Sequence, residues 1–291
     1  MKKILITGTD SYIGNSIKSW LSKFPNEYQI DEVDMRNDCW KDMSFSGYNV
    51  ILHIAAIVHI NEKDELWPLY QRVNTELPYL VAKKAKEEGV DHFVFFSTKG
   101  VYKPNTPFID RDTVPQPTKL YGKSKLGGEK LLIPLNDDGF RVSILRPAVV
   151  YGEGSKGNFP KLQSLARKIN FFPKKENKRS MIYIWNLCEY VRLLINDPLD
   201  DIILYPQNAE YIGTLDIMCA LWKENNKKYH LSRFIAWGVN VLLKLPGMET
   251  VKTMFTDTVY DAKISNDFDN RYCVYSFEDS IKNIVNSEVT K

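Results

Sequence analysis

The chain has 291 residues, of which 44% are hydrophobic and 26% charged, a composition typical of a folded globular protein with a large core. Lysine and arginine number 39 against 36 aspartate and glutamate residues, which leaves a net charge of +3. So small an excess, without a long basic run, argues against a dedicated nucleic-acid-binding protein.

Short apolar runs alternate with amphipathic stretches through the first half of the chain. Strands are predicted at residues 4–6, 28–33, 49–57, 92–96 and 141–145, and helices at residues 12–24, 66–88 and 121–132. Strands that are separated by helices in this way run parallel, with the helices as crossovers between them. We therefore predict an α/β fold with a Rossmann-like, doubly wound parallel sheet.

The pattern becomes less regular after Tyr151, where helices are predicted at residues 161–169 and 186–194. We expect residues 1–153, with a return segment near 182–204, to form the domain of the parallel sheet, and residues 154–291 to form mainly a smaller, substrate-binding lobe. Residues 234–245 are apolar on most faces of a helix. A core or dimer helix is favoured there over a membrane-surface helix.

The four cysteines lie far apart and form no CxxC pair; they are Cys39, Cys188, Cys219 and Cys273. We therefore expect neither a metal site nor a disulfide framework, and the pattern fits a reducing compartment such as the cytoplasm. The apolar stretch at the N-terminus is too short for a signal peptide. No run of roughly 18 apolar residues predicts a membrane span.

A glycine-containing segment, Thr7-Gly8-Thr9-Asp10-Ser11-Tyr12-Ile13-Gly14, joins the first predicted strand to the first predicted helix. Gly8 can form the tight turn, Gly14 permits close packing of helix on strand, and the helix N-terminus offers N–H groups to a pyrophosphate. Asp34 follows at the end of the second predicted strand, where a carboxylate binds ribose hydroxyls and repels a 2′-phosphate. Position and spacing favour a site for NAD over a structural turn with a surface aspartate.

Tyr121 and Lys125 are four residues apart and share one face of a predicted helix. A tyrosine with its ordinary pKa of ~10 is a poor base at neutral pH. A neighbouring ammonium group favours the phenolate and lowers that pKa, so the pair can serve as an acid–base group. Taken alone, an i,i+4 pair on the surface is the better explanation.

Thr98 follows the strand predicted at residues 92–96, at the position where ligands bind in open α/β sheets. Its hydroxyl can hydrogen-bond a substrate oxygen and share a proton with Tyr121. A threonine that caps a turn or helix is the structural alternative.

The three segments, in this order, resemble the short-chain dehydrogenase/reductase superfamily, and more narrowly its extended branch, the NAD-dependent epimerase/dehydratase family that acts on nucleotide sugars. The resemblance extends over nearly the whole chain. Further matches are H-x-A-A at residues 53–56, V-N at 73–74, S-T-x-x-V-Y at 97–102, R-P-x-x-V-Y-G at 146–152 and R-x-x-I-Y-I-x-N-L at 179–187.

The resemblance implies the roles of individual residues. The implied catalytic residues are Thr98, Tyr121 and Lys125. The implied contacts of NAD are Gly8, Ser11, Tyr12, Ile13, Gly14, Asp34, Ala55, Ala56, Asn74, Tyr121 and Lys125. The implied contacts of a nucleotide-sugar substrate are Thr98, Asn158, Lys161 and Arg179, of which the arginine pairs with the nucleotide's phosphates.

Three residues depart from the family pattern. Ser11 stands where the family usually has its middle glycine, Lys103 replaces the glycine that usually follows Val-Tyr, and Trp185 occupies the place of a common acidic residue. Arg36, two residues after Asp34, leaves NADP open as a cofactor. The sequence also leaves open whether the protein forms a homodimer.

The family's shared step is hydride transfer between a sugar carbon and the nicotinamide, with Tyr121 taking the proton of a sugar hydroxyl, usually the 4-OH. Dehydratases of the family usually carry Asp-Glu after the catalytic threonine. Here Lys99 and Gly100 follow it, which disfavours a 4,6-dehydratase.

Three functions then remain, and the residues do not decide between the first two. A UDP-hexose-type 4-epimerase with a transient 4-keto sugar is favoured because epimerases are the commoner members. An NAD(P)H-dependent reductase of a 4-keto deoxy nucleotide sugar, in surface-polysaccharide synthesis, is the close alternative. A non-catalytic dinucleotide-sensing module is less favoured because it has no need of Thr98, Tyr121 and Lys125.

Overall fold

The computed structural model describes residues 1–58 and 62–289. The strands are β1 (Lys2–Thr7), β2 (Tyr28–Val33), β3 (Val50–His53), β4 (His92–Phe96), β5 (Phe108–Ile109), β6 (Arg141–Leu145), β7 (Val149–Tyr151), β8 (Phe171–Pro173), β9 (Met181–Tyr183), β10 (Ile203–Leu204), β11 (His230–Ser232) and β12 (Val259–Tyr260). The helices are α1 (Tyr12–Leu21), α2 (Cys39–Asp42), α3 (Trp67–Tyr70), α4 (Leu77–Glu87), α5 (Leu120–Leu132), α6 (Asn158–Lys168), α7 (Ile184–Asn196), α8 (Thr214–Glu224), α9 (Arg233–Leu242), α10 (Glu249–Phe255) and α11 (Phe277–Val289). A π-helical segment, Gln71–Glu76, connects α3 to α4.

Six strands form one sheet in the order β10-β6-β4-β3-β1-β2, and every neighbouring pair runs parallel. Ile4 of β1, for example, is in register with Ile30 of β2 on one side and Val50 of β3 on the other. Strands β3 and β4 are buried along their whole length, as in a sheet with both faces covered. The predicted doubly wound parallel sheet is confirmed.

The sheet has its topological switch point between β1 and β3. The chain passes from β1 to β2 at one edge and then crosses to β3 on the opposite side of β1. In open α/β sheets, ligands bind outside the carboxyl ends of the strands at such a point. The loops that follow Thr7 and His53 therefore lie at the expected ligand-binding edge.

Two predicted elements differ in length or form from those observed. The strand predicted at residues 49–57 ends at His53, because the next residues turn to pack on the loop after β1. The helix predicted at residues 66–88 contains the π-helical segment. The predicted end of this helix is confirmed. Gly89 has a φ of +78°, and the N–H of Val90 donates to the carbonyl of Ala85 at 3.0 Å.

The chain divides into two compact units. The first comprises Met1–Lys103, Val114–Pro147 and Leu187–Pro206, and it contains the six-stranded sheet. The second comprises Pro104–Thr113, Ala148–Asn186 and Gln207–Lys291. The core of the first unit includes Leu5, Trp40, Phe45, Ile51, Val81, Phe93, Phe95, Phe140 and Ile144, all at most 5% exposed.

The second unit is built on two-stranded parallel pairs and an aromatic core. The pairs are β5 with β12, β7 with β9, and β8 with β11. Phe172 packs on Phe255 and Trp222 with ring centroids 5.6 and 6.4 Å away. The indole N–H of Trp222 donates to the carbonyl of Ala166 at 2.8 Å, so the aromatic core also fixes the end of α6.

Helix α9 is less buried than the sequence predicts. Residues 234–245 were interpreted as a core or dimer helix, but Phe234 and Trp237 are 80% and 64% exposed. The core interpretation is therefore wrong, because only one side of the helix, with Ala236 and Val239, packs on the second unit. Among the helices that the structure describes, none is long and apolar enough to span a bilayer.

Candidate active site

The loop after β1 is held close to the loop after β3. The N–H of Ala55 donates to the carbonyl of Thr7 at 3.1 Å, and Gly8 has a φ of +91°. A Cβ at Gly8 would lie 2.9 Å from the Cα of Ala55, inside van der Waals contact. Both the backbone conformation and the space therefore require glycine at this position.

Ser11, the departure from the family's middle glycine, is the N-cap of α1. Its hydroxyl accepts the N–H of Gly14 at 3.1 Å, and its carbonyl accepts the first helical N–H, from Asn15, at 2.9 Å. A Cβ at Gly14 would lie 2.5 Å from the Ser11 hydroxyl and 3.4 Å from the side chain of Ile6. The small residue at position 14 thus serves both the cap and the packing of α1 on β1.

Asp34 follows β2, and its carboxylate is paired with Arg36. The guanidinium Nε lies 2.9 Å from both carboxylate oxygens, and Nη2 lies 2.7 Å from Oδ2. This hydrogen bonding lowers the pKa of Asp34 and raises that of Arg36. Both side chains are solvent-accessible, so the carboxylate can exchange its partner for ribose hydroxyls.

Asn74, in the π-helical segment, is fully buried and holds the loop after β3. Its amide oxygen accepts the N–H of Ile57 at 2.8 Å, and its amide nitrogen donates to the carbonyl of Ile57 and to the hydroxyl of Ser124. The hydroxyl of Thr75 donates to the carbonyl of Ser124 at 2.7 Å. The segment therefore ties helix α5 to the loop that contains Ala55 and Ala56.

Lys125 is 1% exposed, which rules out the surface-pair interpretation of this lysine. Its ammonium nitrogen donates to the carbonyl of Phe96 at 2.7 Å and lies 4.4 Å from the centre of the Phe95 ring. Burial lowers the pKa of Lys125 to about 7, while the charge of Glu129 opposes the fall. A lysine with such a pKa can exchange a proton near neutral pH.

Tyr121 behaves differently from the sequence-based expectation. Burial raises the pKa of Tyr121 to about 12, a hydrogen bond from the side chain of Thr98 acts to lower it, and Tyr70 acts to raise it. The expected lowering of this pKa by the charge of Lys125 is therefore wrong: desolvation of the phenolate is the largest effect, and Lys125 is not among the groups that act on it. Thr98 itself accepts the N–H of Gly100 at 3.0 Å, which fixes its hydroxyl.

The N-terminus of α5 is held by Glu62. Its carboxylate accepts the N–H of Leu120 at 3.0 Å and the N–H of Tyr121 at 3.2 Å. A carboxylate at this place satisfies otherwise unpaired N–H groups and the positive end of the helix dipole. A Cβ at Gly122 would lie 2.2 Å from the carbonyl oxygen of Gly100, so α5 also packs closely on the turn after Thr98.

A buried ion pair connects α5 to the ends of β4 and β6. Nη2 of Arg146 lies 2.5 Å from Oε2 of Glu129, and their side chains are 5% and 1% exposed. Arg146 also donates to the hydroxyl of Tyr102 at 2.7 Å, and the hydroxyl of Ser97 donates to Glu129. Burial acts to lower the pKa of Arg146, but hydrogen bonding and the charge of Glu129 raise it above its ordinary value.

Two of these residues, Glu62 and Glu129, were not singled out from the sequence. Arg146 was identified as part of the R-P-x-x-V-Y-G match, but its ion pair with Glu129 was not predicted. Glu129 lies four residues after Lys125, so helical spacing could have found it. Glu62 is 58 residues from Leu120 in sequence, and no local pattern points to that contact.

The residues predicted to bind the substrate nucleotide lie in the second unit. Asn158 and Lys161 are exposed in the first turns of α6. Arg179 precedes β9 and forms a bridge with Thr258. Its Nε is buried and has no hydrogen-bond partner among the described residues, and burial lowers the pKa of Arg179.

The edge of the sheet in the first unit fits a dinucleotide. The Gly8 turn leaves no side chain between β1 and the loop at Ala55, and the helix α1 begins directly behind it. Helix α1 begins at Tyr12, so the positive end of its dipole, which favours a pyrophosphate, lies at this edge of the sheet. Asp34, directly after β2, adds a carboxylate of the kind that accepts hydrogen bonds from ribose hydroxyls.

Comparison with known proteins identifies the family of this chain. The model of the family described as NAD dependent epimerase/dehydratase matches residues 4–201. The chain is 31% identical over 224 residues to a UDP-glucose 4-epimerase of Vibrio cholerae, which covers 68% of this chain and 67% of the relative.

Two further similarities are more distant. An N-acetyl-alpha-D-glucosaminyl-diphospho-ditrans,octacis-undecaprenol 4-epimerase of Escherichia coli O157:H7 is 28% identical over 63% of this chain and 56% of its own length. The chain thus spans little more than half of that relative. A dTDP-4-dehydrorhamnose reductase of Clostridium acetobutylicum, 17% identical, superposes with a TM-score of 0.73 over 99% of both chains, which shows a shared fold. The family match and the Vibrio relative establish that this chain is an enzyme of the NAD-dependent epimerase/dehydratase family, with NAD as the cofactor of that family.

Proposed function

We propose that this protein is a nucleotide-sugar 4-epimerase of the UDP-hexose type, which acts through a transient 4-keto sugar. The observation that carries the proposal is the arrangement of Tyr121, hydrogen-bonded to Thr98, one helical turn before a buried Lys125 with a pKa of about 7. The similarity to the Vibrio UDP-glucose 4-epimerase supports the choice of substrate class.

In the first half-reaction, Tyr121 takes the proton of the sugar 4-OH while the hydrogen on C4 leaves as hydride. Bound along Gly8–Gly14, NAD would supply the site that takes up this hydride and gives it back in the second half-reaction. Tyr121 must be a phenolate to accept the proton, and the pKa of about 12 shows that burial opposes this state. The hydrogen bond from Thr98 is the contribution of this chain that favours the phenolate, and we propose that the proton of Tyr121 passes on to Lys125.

Lys125 is suited to this task because its pKa lies near the working pH. Its neutral form can receive a proton that is relayed from Tyr121, and its ammonium form can return one. Glu129, which raises the pKa of Lys125, keeps part of the population protonated at neutral pH. The carbonyl of Phe96 fixes the position of the nitrogen.

The remaining assignments follow the family pattern. We propose that NAD binds along Gly8–Gly14 with Asp34 on its ribose, and that Asn158, Lys161 and Arg179 bind the nucleotide of the substrate. Asn74 contributes by holding the loop with Ala55 and Ala56, since its amide groups bond to Ile57 and Ser124.

An epimerase and a reductase differ in what they consume, which gives a direct test. We expect the purified protein to interconvert UDP-glucose and UDP-galactose without added NADH or NADPH, as measured by chromatographic separation of the two sugars. UDP-N-acetylglucosamine and the polyprenyl diphosphate-linked sugar of the Escherichia coli relative are the next substrates to test. Consumption of NAD(P)H with a 4-keto sugar, and no interconversion, would identify the reductase instead.

The variant Tyr121→Phe tests the role of this tyrosine in catalysis, because the substitution removes only the hydroxyl. General acid–base groups contribute ~100-fold to ~10,000-fold, so we expect turnover to fall at least ~100-fold. The amount of bound NAD, measured by absorbance after release, should be unchanged. A variant with the activity of the wild type would contradict the mechanism, and a wild-type protein that binds NAD without turnover of any sugar would identify a sensing module.

A further inference from the structure

Helix α9 and the turn after it expose five large apolar side chains, which together are called the α9 face below: Phe234, Trp237, Val241, Leu242 and Leu245. The two aromatic residues are 80% and 64% exposed, and the three aliphatic residues are 39% to 45% exposed. Successive spacings of three, four, one and three residues keep all five within one side of a helix. Single exposed apolar residues are common, but five on one side of a helix mark an interaction surface.

Helix α9 is anchored in the second unit at its N-terminus and along one side. Ser232 caps the helix by accepting the N–H of Ile235 at 3.2 Å, and β11, directly before it, pairs with β8. Ala236 and Val239 are buried and anchor the opposite side of the helix. The rings of Phe234 and Trp237 stack with centroids 6.1 Å apart, so the two largest apolar groups form one unit.

The charge around the α9 face is concentrated and positive. Residues 223–252 contain six lysine and arginine residues and two glutamates, a net charge of +4. Because the whole chain carries +3, the remainder sums to −1. Lys228, Arg233 and Lys244 are exposed, so the basic charge and the exposed apolar residues belong to the same segment of the chain.

We propose that the α9 face docks on the surface of a membrane that contains anionic phospholipid. Interfacial helices combine a face of Trp, Phe and Leu with flanking lysine and arginine, because the apolar side chains enter the acyl boundary while the cations contact phosphate groups. Trp237 has the amphipathic ring that is favoured at this boundary. The helix lies in the membrane plane in this arrangement and does not span it.

A second copy of the chain is the competing occupant, and the charge distribution argues against it. A two-fold interface places the same patch of both subunits together. Lys228, Arg233 and Lys244 of each copy would then approach those of the other, and like charges across an interface are repulsive. An anionic lipid surface neutralises the same residues.

The proposal is independent of the reaction, and the test does not use a sugar substrate. The full-length protein is sedimented with vesicles of phosphatidylglycerol and phosphatidylcholine in equal parts, and with vesicles of phosphatidylcholine alone. We expect binding to the anionic vesicles at low ionic strength, with weaker binding at high salt because surface charges are screened. Absence of binding to the anionic vesicles would overturn the proposal.

Two double variants separate the apolar and the electrostatic contributions. Phe234→Ser with Trp237→Ser should weaken partitioning at least ~30-fold, since both exposed rings are lost from the acyl boundary. Lys228→Gln with Lys244→Gln should weaken it on the order of tenfold and reduce the salt dependence. Both variants are checked for native circular dichroism and unchanged thermal unfolding.

A matched control removes exposed apolar residues elsewhere. Val114 and Leu80 are 69% and 47% exposed in the first unit, and Val114→Ser with Leu80→Ser should bind vesicles like the wild type. Equal loss of binding in this control would contradict a role of the α9 face. So would a wild-type dimer, seen by analytical ultracentrifugation, that Phe234→Ser with Trp237→Ser dissociates, because that result would identify a second copy as the occupant.

Discussion

Replacement of the buried Lys125 by methionine should abolish catalysis and at the same time stabilise the protein at neutral pH. The pKa of Lys125 falls from 10.5 to about 7 on folding because the ammonium loses its hydration. Since a tenfold change in an equilibrium corresponds to about 1.4 kcal/mol, keeping this lysine in the fold costs about 4 kcal/mol at pH 7. Methionine has a similar shape and no charge to desolvate.

The loss of one hydrogen bond opposes this gain. The carbonyl of Phe96 accepts the Lys125 ammonium at 2.7 Å, and an unsatisfied buried acceptor costs about 1–3 kcal/mol. We therefore expect Lys125→Met to raise the free energy of unfolding by about 2 kcal/mol at pH 7.

The pH dependence tests the cause of the effect. Between about pH 7 and pH 10.5 the unfolded chain binds more protons at this lysine than the folded protein does, so the stability of the wild type rises with pH. Between pH 7 and pH 9 the rise amounts to about 2 kcal/mol, and the methionine variant lacks it. The advantage of the variant at pH 7 should therefore disappear near pH 9.

Urea denaturation of both proteins, free of nucleotide and at both pH values, measures this difference. Lys123→Met is the control, because it removes an exposed lysine from the same helix and should change stability by less than ~0.5 kcal/mol. An advantage of Lys125→Met that is the same at pH 7 and pH 9 would refute the argument from desolvation.

Three further predictions concern the ion pair and the cofactor loop. Arg146→Met should lower the free energy of unfolding by about 3–5 kcal/mol, because Glu129 stays buried without its partner. The double variant Arg146→Met with Glu129→Met should recover part of this loss, and urea denaturation measures both variants. Asp34→Ser should shift the ratio of NAD to NADP affinity at least ~10-fold toward NADP, as measured by fluorescence titration. An unchanged ratio would show that Asp34 does not contact the ribose. Gly8→Ala should cost about 1–3 kcal/mol of stability and weaken NAD binding, since φ is +91° there; a fully stable variant would contradict the tight packing on Ala55.

The fold of the first unit could be predicted because its signals are local. Apolar runs marked the sheet strands to within a few residues, and 28–33, 92–96 and 141–145 match the observed strands β2, β4 and β6. The strand predicted through residue 57 was too long, because apolar character continues where the loop packs on Gly8. Hydrophobicity alone does not distinguish a strand from a buried loop.

The candidate site was predicted as a set of residues but not as an electrostatic environment. The spacing of Tyr121 and Lys125 places them on one helical face in any helix. Whether such a pair is exposed or buried depends on what covers the helix, and here the cover is the end of β4. The sequence therefore suggested a lowered tyrosine pKa, whereas burial raises the pKa of Tyr121 and lowers that of Lys125.

The sequence by itself predicted the parallel sheet, the glycine turn with Asp34 one strand later, and the placing of Tyr121 and Lys125 on one helical face, because each depends on short-range spacing or on hydrophobic period. Tertiary structure alone decided the contacts of Glu62 with α5, the partner of Arg146 and the exposure of the α9 face. These depend on which distant segments fold against one another. Desolvation and long-range pairing arise only when such segments meet, and no local pattern in the chain encodes them.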